Sequence, residues 1–130
     1  SGNLWGMPLR MLLDGGAVAA GNVALVGARN LDPPEEEVIA ASGLHAGMEG
    51  VTAALEGVER VYVALDCDVL DPAQIECFMP EPGGLSLDEV ERGLREVAAR
   101  ATVVGAGVTG LRPGGSNVVP VTRLLAALGL

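Results

Sequence analysis

Three aspartates fall within six residues, Asp66, Asp68 and Asp71, directly after the apolar run 61–65. The β-branched and aromatic composition of that run predicts a strand buried on both faces, as in a parallel sheet. On an extended backbone, residues two apart point to the same side, so Asp66 and Asp68 are expected to share a face while Cys67 points into the packing. Ligands of open α/β sheets bind beyond the carboxyl ends of the strands, which is where this pair is predicted to lie.

Two neighbouring carboxylates repel each other. At about 4 Å and an effective dielectric of about 20, the repulsion is on the order of 4 kcal/mol, a large share of the ~5–15 kcal/mol that stabilises a domain. A shared proton, a basic neighbour or a bound cation can relieve it, and carboxylate oxygens suit magnesium, calcium or manganese. The alternative is that Asp66 caps the strand while Asp68 and Asp71 make turn hydrogen bonds, for which aspartate is favoured. Spacing alone leaves both interpretations open.

Longer segments of the sequence resemble a known family. The segments 66–72 (DCDVLDP) and 80–86 (PEPGGLS) are similar to the signature of the ureohydrolases, which include arginase, agmatinase and formiminoglutamase. The segments 1–9 (SGNLWGMPL) and 26–29 (VGAR) resemble earlier motifs of the same family, in the same order. The resemblance implies a partial arginase-like fold, in which this sequence forms the C-terminal half.

The resemblance also implies roles for individual residues. Asp66 and Asp68 would be metal ligands, and Asp71 would support them from behind. Thr109 is the best match to a family glutamate that holds the cationic end of the substrate, so it would contact the substrate. The family cofactor is a manganese pair, which lowers the pKa of a bridging water that attacks a guanidinium carbon. The family's histidine-containing ligand motifs have no match in this sequence.

The first functional hypothesis is therefore a piece of a metal-dependent hydrolase of linear amidines, with a small guanidino or formimino substrate, inactive alone. A second is a degenerate arginase-like protein that has lost catalysis and serves as an assembly partner. Trp5, where the family typically has a histidine, and Thr109 favour it. A third is a hydrolase of a less basic substrate, which Thr109 would hydrogen-bond in place of a carboxylate.

The predicted architecture is a single α/β domain over residues 1–130, with a mostly parallel sheet between two layers of helices. Its predicted elements are strands at 22–28, 60–66 and 102–109 and helices at 4–13, 33–42, 48–55, 87–100 and 118–128, with a turn at 44–47. Pro8 is expected in the first turn of its helix, and Gly43 is expected to end the second helix. Ser86 and Glu89 form a predicted capping box, Glu91 and Arg95 a predicted ion pair, and Ser116 or Asn117 the cap of the last helix.

Composition limits the partners. The net charge of −9 argues against nucleic acid, and no apolar run reaches the length of a membrane span. Cys67 and Cys77 lack a metal-binding spacing, which favours free thiols in the cytoplasm. The apolar loop 75–79 is expected to be buried, either against its own sheet or against another chain. An incomplete sheet leaves edges that pair with other chains. We therefore expect a homo-oligomer or a complex with the complementary half.

Overall fold

A computed structural model describes residues 4–130, apart from the side chain of Trp5. The first three residues of the segment 1–9, and the Trp5 side chain on which one of the hypotheses rests, lie outside the described part. The chain forms two compact units, Ser1–Glu56 and Gly57–Leu130, each of which is described by itself. Among the described residues, no helix combines the length and apolar character needed to cross a bilayer.

The first unit holds two short parallel strands and three helices. The strands are β1 (Ala24–Leu25) and β2 (His45–Ala46), and the helices are α1 (Pro8–Asp14), α2 (Pro33–Ser42) and α3 (Gly50–Ala54), with 3₁₀ turns at Leu4–Gly6 and Ala20–Asn22. Pro8 lies in the first turn of α1, as predicted, where a missing N–H costs no hydrogen bond. Gly43 ends α2 in the left-handed conformation with φ +78°, which is also as predicted.

Two predictions for this unit are wrong. The strand predicted over 22–28 has only two residues: a 3₁₀ turn ends at Asn22 before it, and Gly27 after it has a φ of +70°, which is not extended. The segment 44–47, predicted as a turn, contains β2, in which His45 pairs with Ala24. Strands this short carry no alternation that a sequence pattern could reveal.

The second unit contains the longer parallel pair. Its elements are β3 (Arg60–Asp66), α4 (Leu87–Arg100), β4 (Thr102–Thr109) and α5 (Val118–Ala127), with 3₁₀ turns at Cys67–Val69 and Gly115–Asn117. β3 and β4 run parallel, from the pair Arg60–Thr102 to the pair Asp66–Thr109, with an irregularity between Val61 and Tyr62. The predicted α/β class with parallel strands is confirmed.

One face of the β3–β4 pair carries the hydrophobic core. Leu65 packs in one cluster with Leu94 of α4 and Leu124 of α5, and Cys67 points into the same core, as predicted, with no exposed surface. The opposite face is open: Tyr62 is 62% exposed. The prediction of a strand buried on both faces is therefore wrong for the face that carries Tyr62.

The Tyr62 ring lies across β4, over two glycines. A Cβ atom added at Gly105 would lie 3.3 Å from Tyr62 Cε2, and one added at Gly107 would lie 2.7 Å from the Tyr62 hydroxyl. The ring thus occupies the space that side chains at both positions would need.

Helix α4 begins and is anchored as its sequence predicts. Ser86 Oγ accepts from Glu89 N (3.3 Å) and Ser86 N donates to Glu89 Oε2 (2.8 Å), which confirms the capping box. Arg95 Nη2 lies 2.6 Å from Glu91 Oε1, which confirms the ion pair. Arg123 of α5 also bonds Glu91, with Nε 2.6 Å from Oε2, so this carboxylate joins the two helices.

Cys67 gives the unit a dependence on alkaline pH. Burial, followed by the negative charge of Asp66, raises the pKa of the Cys67 thiol to about 11. The thiol of the unfolded chain has an ordinary pKa of about 9.0, so the stability present below pH 9 is lost as the pH rises toward 11. Two pKa units correspond to about 2–3 kcal/mol. The sequence contains no lysine, so few other groups titrate in this window.

We expect the free energy of unfolding, measured by urea titration, to fall by about 2–3 kcal/mol between pH 9 and pH 11. Cys67→Ala should lower stability at pH 8, because it leaves a cavity, yet flatten the decline above pH 9. Cys77→Ala, at the other buried cysteine, is the matched control and should keep the decline. A Cys67→Ala variant as steep as the parent would contradict this assignment.

Candidate functional site

Asp66 is the last residue of β3, so its carboxylate lies at the carboxyl end of the strand, as predicted, and is exposed. The strand does not continue through Asp68, which belongs to the 3₁₀ turn Cys67–Val69. The extended geometry predicted from Asp66 to Asp68 is therefore wrong. The turn instead directs the Asp68 N–H back to Asp66 Oδ1, at 3.5 Å.

This contact realises one of the two interpretations of the aspartates, because Asp66 caps the turn that follows β3. The contact does not use all the acceptor positions of the Asp66 carboxylate. An ionised carboxylate has about four lone-pair positions, and one long hydrogen bond uses one of them. The remaining positions stay available for a cation or a substrate donor.

Thr109 lies directly beside Asp66, because the two residues are register partners at the ends of β4 and β3. Partners in a parallel pair point to the same face of the sheet. The structure thus brings together the predicted metal ligand Asp66 and the predicted substrate contact Thr109, and both residues are exposed.

Gly110 makes this approach possible, and sequence reasoning did not single it out. Its φ of +76° is in the left-handed region, and a Cβ there would lie 2.4 Å from Asp66 Oδ1. The backbone conformation therefore favours glycine, and a side chain at this position would also displace the Asp66 carboxylate. A glycine directly after a strand end, opposite an aspartate, was the available signal.

Asp71 is engaged in a turn. Its Oδ1 accepts from Ala73 N at 2.9 Å and its carbonyl accepts from Gln74 N at 2.8 Å, which is the turn interpretation of this aspartate. Its own N–H donates to Leu85 O at 2.8 Å. Asp71 therefore fixes the segment that follows the 3₁₀ turn, and a role behind a metal ligand stays a prediction.

The loop after Asp71 is joined to the loop after Thr109. Phe78 N donates to Gly110 O at 2.6 Å, Arg112 N donates to Glu76 O at 3.1 Å, and Cys77 forms an antiparallel bridge with Leu111. The two loops therefore form a short antiparallel ladder beside the site.

Within this chain, the apolar loop 75–79 is buried in part, and burial of the rest against another chain stays a prediction. Ile75 and Cys77 are 5% and 3% exposed, whereas Phe78 and Met79 are 57% and 64% exposed. The ladder explains part of the difference, because neighbouring residues of an extended segment point to opposite sides.

Asn117 closes this ladder. It is 5% exposed; its Oδ1 accepts from Glu76 N at 2.9 Å, and its Nδ2 donates to Glu76 O at 2.8 Å and to Arg112 O at 3.0 Å. Asn117 is the N-cap residue of α5, but its side chain makes no capping hydrogen bond. Of the two predicted cap residues, Ser116 and Asn117, the N-cap position is therefore confirmed for Asn117, but without a capping hydrogen bond from its side chain.

The carboxylate oxygens of Asp66 and Asp68 are donors of a type that divalent cations prefer, but two carboxylates are too few to complete a site. Within the part of the chain that the structure describes, no group of three or more His, Cys, Asp or Glu residues could hold a metal ion. Cys67 cannot join Asp66 and Asp68, because its thiol is enclosed in the core. Asp66 and Asp68 are therefore fewer donors than a metal centre needs, and their assignment as metal ligands stays a prediction.

We expect Gly110→Ala to destabilise the second unit more than Gly57→Ala does. A residue with a Cβ in the left-handed region costs roughly 1–2 kcal/mol, and both glycines share that cost, with φ of +76° and +71°. Only Gly110 also faces a carboxylate oxygen, whereas nothing lies within 4 Å of a Cβ at Gly57. Urea unfolding measures the two costs, and equal values would contradict the close approach to Asp66.

The chain resembles known proteins along most of its length. A model of the arginase family matches residues 1–128. Mitochondrial arginase 1 of Arabidopsis thaliana is 42% identical over 77 residues, which cover 55% of this chain and 21% of that protein. Formimidoylglutamase of Halobacterium salinarum is 32% identical over 108 residues, which cover 72% of this chain and 34% of that protein.

The fold agrees with these matches. The crystal structure of an arginase from Bacillus subtilis superimposes with a TM-score of 0.84 and 23% identity, over 98% of this chain and 55% of the other. The chain therefore spans about a fifth to about half the length of these relatives. Because the family model extends over nearly all of its residues, the chain belongs to the arginase family.

Proposed function

We propose that the chain is part of a metal-dependent hydrolase of linear amidines, with a guanidino or formimino substrate, and that it is inactive alone. The observation that carries the proposal is the pairing of Asp66 with Thr109 at the carboxyl ends of β3 and β4. This edge is where α/β sheets bind their ligands. Membership of the arginase family supplies the reaction class.

In this proposal, Asp66 and Asp68 each give a carboxylate oxygen to manganese, an ion that such hard donors suit. Two carboxylates leave most coordination positions to other donors. The remaining ligands must therefore come from residues outside this sequence, and no catalytic step is completed by this chain alone. Manganese, when bound, would supply an activated water for hydrolysis.

Thr109 would set the preference for substrate. Its hydroxyl can accept or donate one hydrogen bond to a substrate nitrogen, but it cannot form the paired, charge-assisted bonds that a carboxylate makes with a guanidinium. A substrate held by Thr109 is therefore bound less by charge than by the shape of the site.

The two cysteines are free thiols, and we place the protein in the cytoplasm for that reason.

We expect manganese to bind the isolated chain with a millimolar rather than a micromolar dissociation constant, because most ligands are lacking. Paramagnetic broadening of amide resonances detects such weak binding and should centre on Asp66, Cys67 and Asp68. Replacing both ligands (Asp66→Asn with Asp68→Asn) should abolish it, while Asp14→Asn, at an exposed carboxylate of the first unit, should leave it unchanged.

Two results would contradict different parts of this proposal. Sub-micromolar affinity by calorimetry would contradict the incompleteness of the site. Absence of broadening at Asp66 and Asp68 at millimolar manganese would contradict their assignment as ligands.

A second candidate function is an arginase-like protein that has lost catalysis and acts as an assembly partner. The exposed apolar residues of the second unit favour it: Tyr62 on the open sheet face is 62% exposed, and Phe78 and Met79 beside the site are 57% and 64% exposed. Apolar surface of this kind marks interfaces when it is contiguous. In this case the chain binds a copy of itself or the complementary half of the fold.

We expect the purified chain to be larger than its monomer mass of 13.2 kDa at tens of micromolar, by light scattering. Asp66→Asn should leave the mass unchanged, because association rests on apolar burial. Phe78→Ser should reduce it, whereas Val119→Ser, at a residue 74% exposed on α5, is the control and should not. A monomer mass for the parent chain would contradict self-association.

A further inference from the structure

Asn117 makes more contacts than a residue at the start of a helix needs. Its carboxamide bonds both the N–H and the C=O of Glu76, at 2.9 Å and 2.8 Å, as a neighbouring strand would. The second hydrogen on Nδ2 reaches Arg112 O at 3.0 Å. One buried side chain therefore holds the loop that follows Asp71 and the loop that follows Thr109 at the same time.

These contacts lead to the candidate site in three steps. Glu76 O also accepts from Arg112 N at 3.1 Å, which continues the ladder. Two residues further on, Phe78 N donates to Gly110 O at 2.6 Å. Gly110 in turn packs so closely on Asp66 Oδ1 that a Cβ would lie 2.4 Å from it.

The helix itself does not explain this arrangement. The Asn117 side chain makes no capping hydrogen bond to α5, and its three hydrogen bonds all go to the two loops. A buried polar group with fully matched donors and acceptors fixes one arrangement of its neighbours, because any shift leaves a buried group without a partner.

We propose that Asn117 is a positioning residue of the Asp66 site, which it holds through Glu76, Phe78 and Gly110. By fixing the ladder, Asn117 fixes the position of the Gly110 backbone beside the Asp66 carboxylate, and so the surroundings in which Asp66 presents its oxygens. The inference rests on the proposed function only in taking Asp66 as a ligand; the mechanical coupling stands without a metal.

The chemistry requires an amide at this position. Aspartate has nearly the same shape, but an ionised carboxylate only accepts hydrogen bonds. It could still accept from Glu76 N, yet it would face two carbonyl oxygens, those of Glu76 and Arg112, without a proton to give. Asn117→Asp therefore removes two hydrogen bonds while it preserves packing.

The test uses the full chain, labelled with ¹⁵N, as the parent and as Asn117→Asp, Asn117→Ser and Ser116→Ala. Amide hydrogen exchange of Phe78 and Arg112 reports on the ladder, and the amide resonances of Asp68 and Gly110 report on the site. In both Asn117 variants we expect exchange at Phe78 and Arg112 to accelerate roughly tenfold or more, with displaced resonances of Asp68 and Gly110. Ser116→Ala, at the exposed neighbour, should change neither.

The two Asn117 variants serve different purposes. Asn117→Asp introduces a charge that can itself displace resonances, whereas Asn117→Ser does not, so only displacements common to both report on position. If Asn117→Asp does not fold, the neutral Asn117→Ser variant decides alone, with an osmolyte to support the folded state.

Faster exchange at Phe78 with unmoved Asp68 and Gly110 resonances would overturn the proposal, because Asn117 would then hold the loops without positioning the site. Unchanged exchange would overturn it as well. Manganese broadening is measured separately on the parent chain: its absence would count against the metal ligands, while the resonances of Asp68 and Gly110 would still decide the coupling.

Discussion

The parallel register between β3 and β4 is the constraint on which the rest of the second unit depends. Because Asp66 pairs with Thr109, both strands end at the same level and their next residues meet at one edge. The register is held from the other face, where Leu65 and Cys67 lie in the core with Leu124 of α5. A shift by one residue would move these side chains to the open face and the aspartate into the core. Burial of the apolar face of the β3–β4 pair therefore also fixes the positions of Asp66 and Thr109 on the opposite face.

The exposed edge depends on two further conditions. The backbone after β4 favours a residue without a side chain at Gly110, since its φ is +76° and a Cβ there would displace the Asp66 carboxylate. The loops beyond the strands need partners for their backbone groups, which their own ladder and the Asn117 carboxamide provide. Buried backbone groups are almost always paired in this way. The site is therefore held by backbone contacts more than by ion pairs.

Much of this could be predicted from the sequence, because it rests on local patterns. The boundaries of β3 and β4, the capping box at Ser86 and the inward direction of Cys67 follow from alternation and spacing. The family resemblance located Asp66 and Thr109 before their pairing was visible. What failed depends on contacts between segments distant in the sequence. No local pattern announces that Asn117 turns away from its own helix toward Glu76, 41 residues earlier.

The turn after β3, the open face of β3 and the short strand β2 were not predicted from the sequence for similar reasons. The strand ends at Asp66 because a 3₁₀ turn begins there, and that choice is made by the packing of Cys67 and Leu70, both 0% exposed. The open face of β3 was misjudged because an apolar run predicts burial without saying what covers it. His45 in β2 was missed because a two-residue strand is defined by its partner alone.

Because the Tyr62 ring lies over Gly105 and Gly107, substitutions at these three positions depend on one another. A side chain at position 107 would collide with the phenol hydroxyl, 2.7 Å away, and one at position 105 would press on the ring edge at 3.3 Å. A side chain at position 107 therefore requires the ring to move, whereas one at position 105 requires a shift of a few tenths of an ångström. A smaller residue at position 62 would instead leave a groove along β4 that side chains could fill. Among descendants of this sequence, these positions should therefore change together, with aromatic bulk on one strand exchanged for aliphatic bulk on the other.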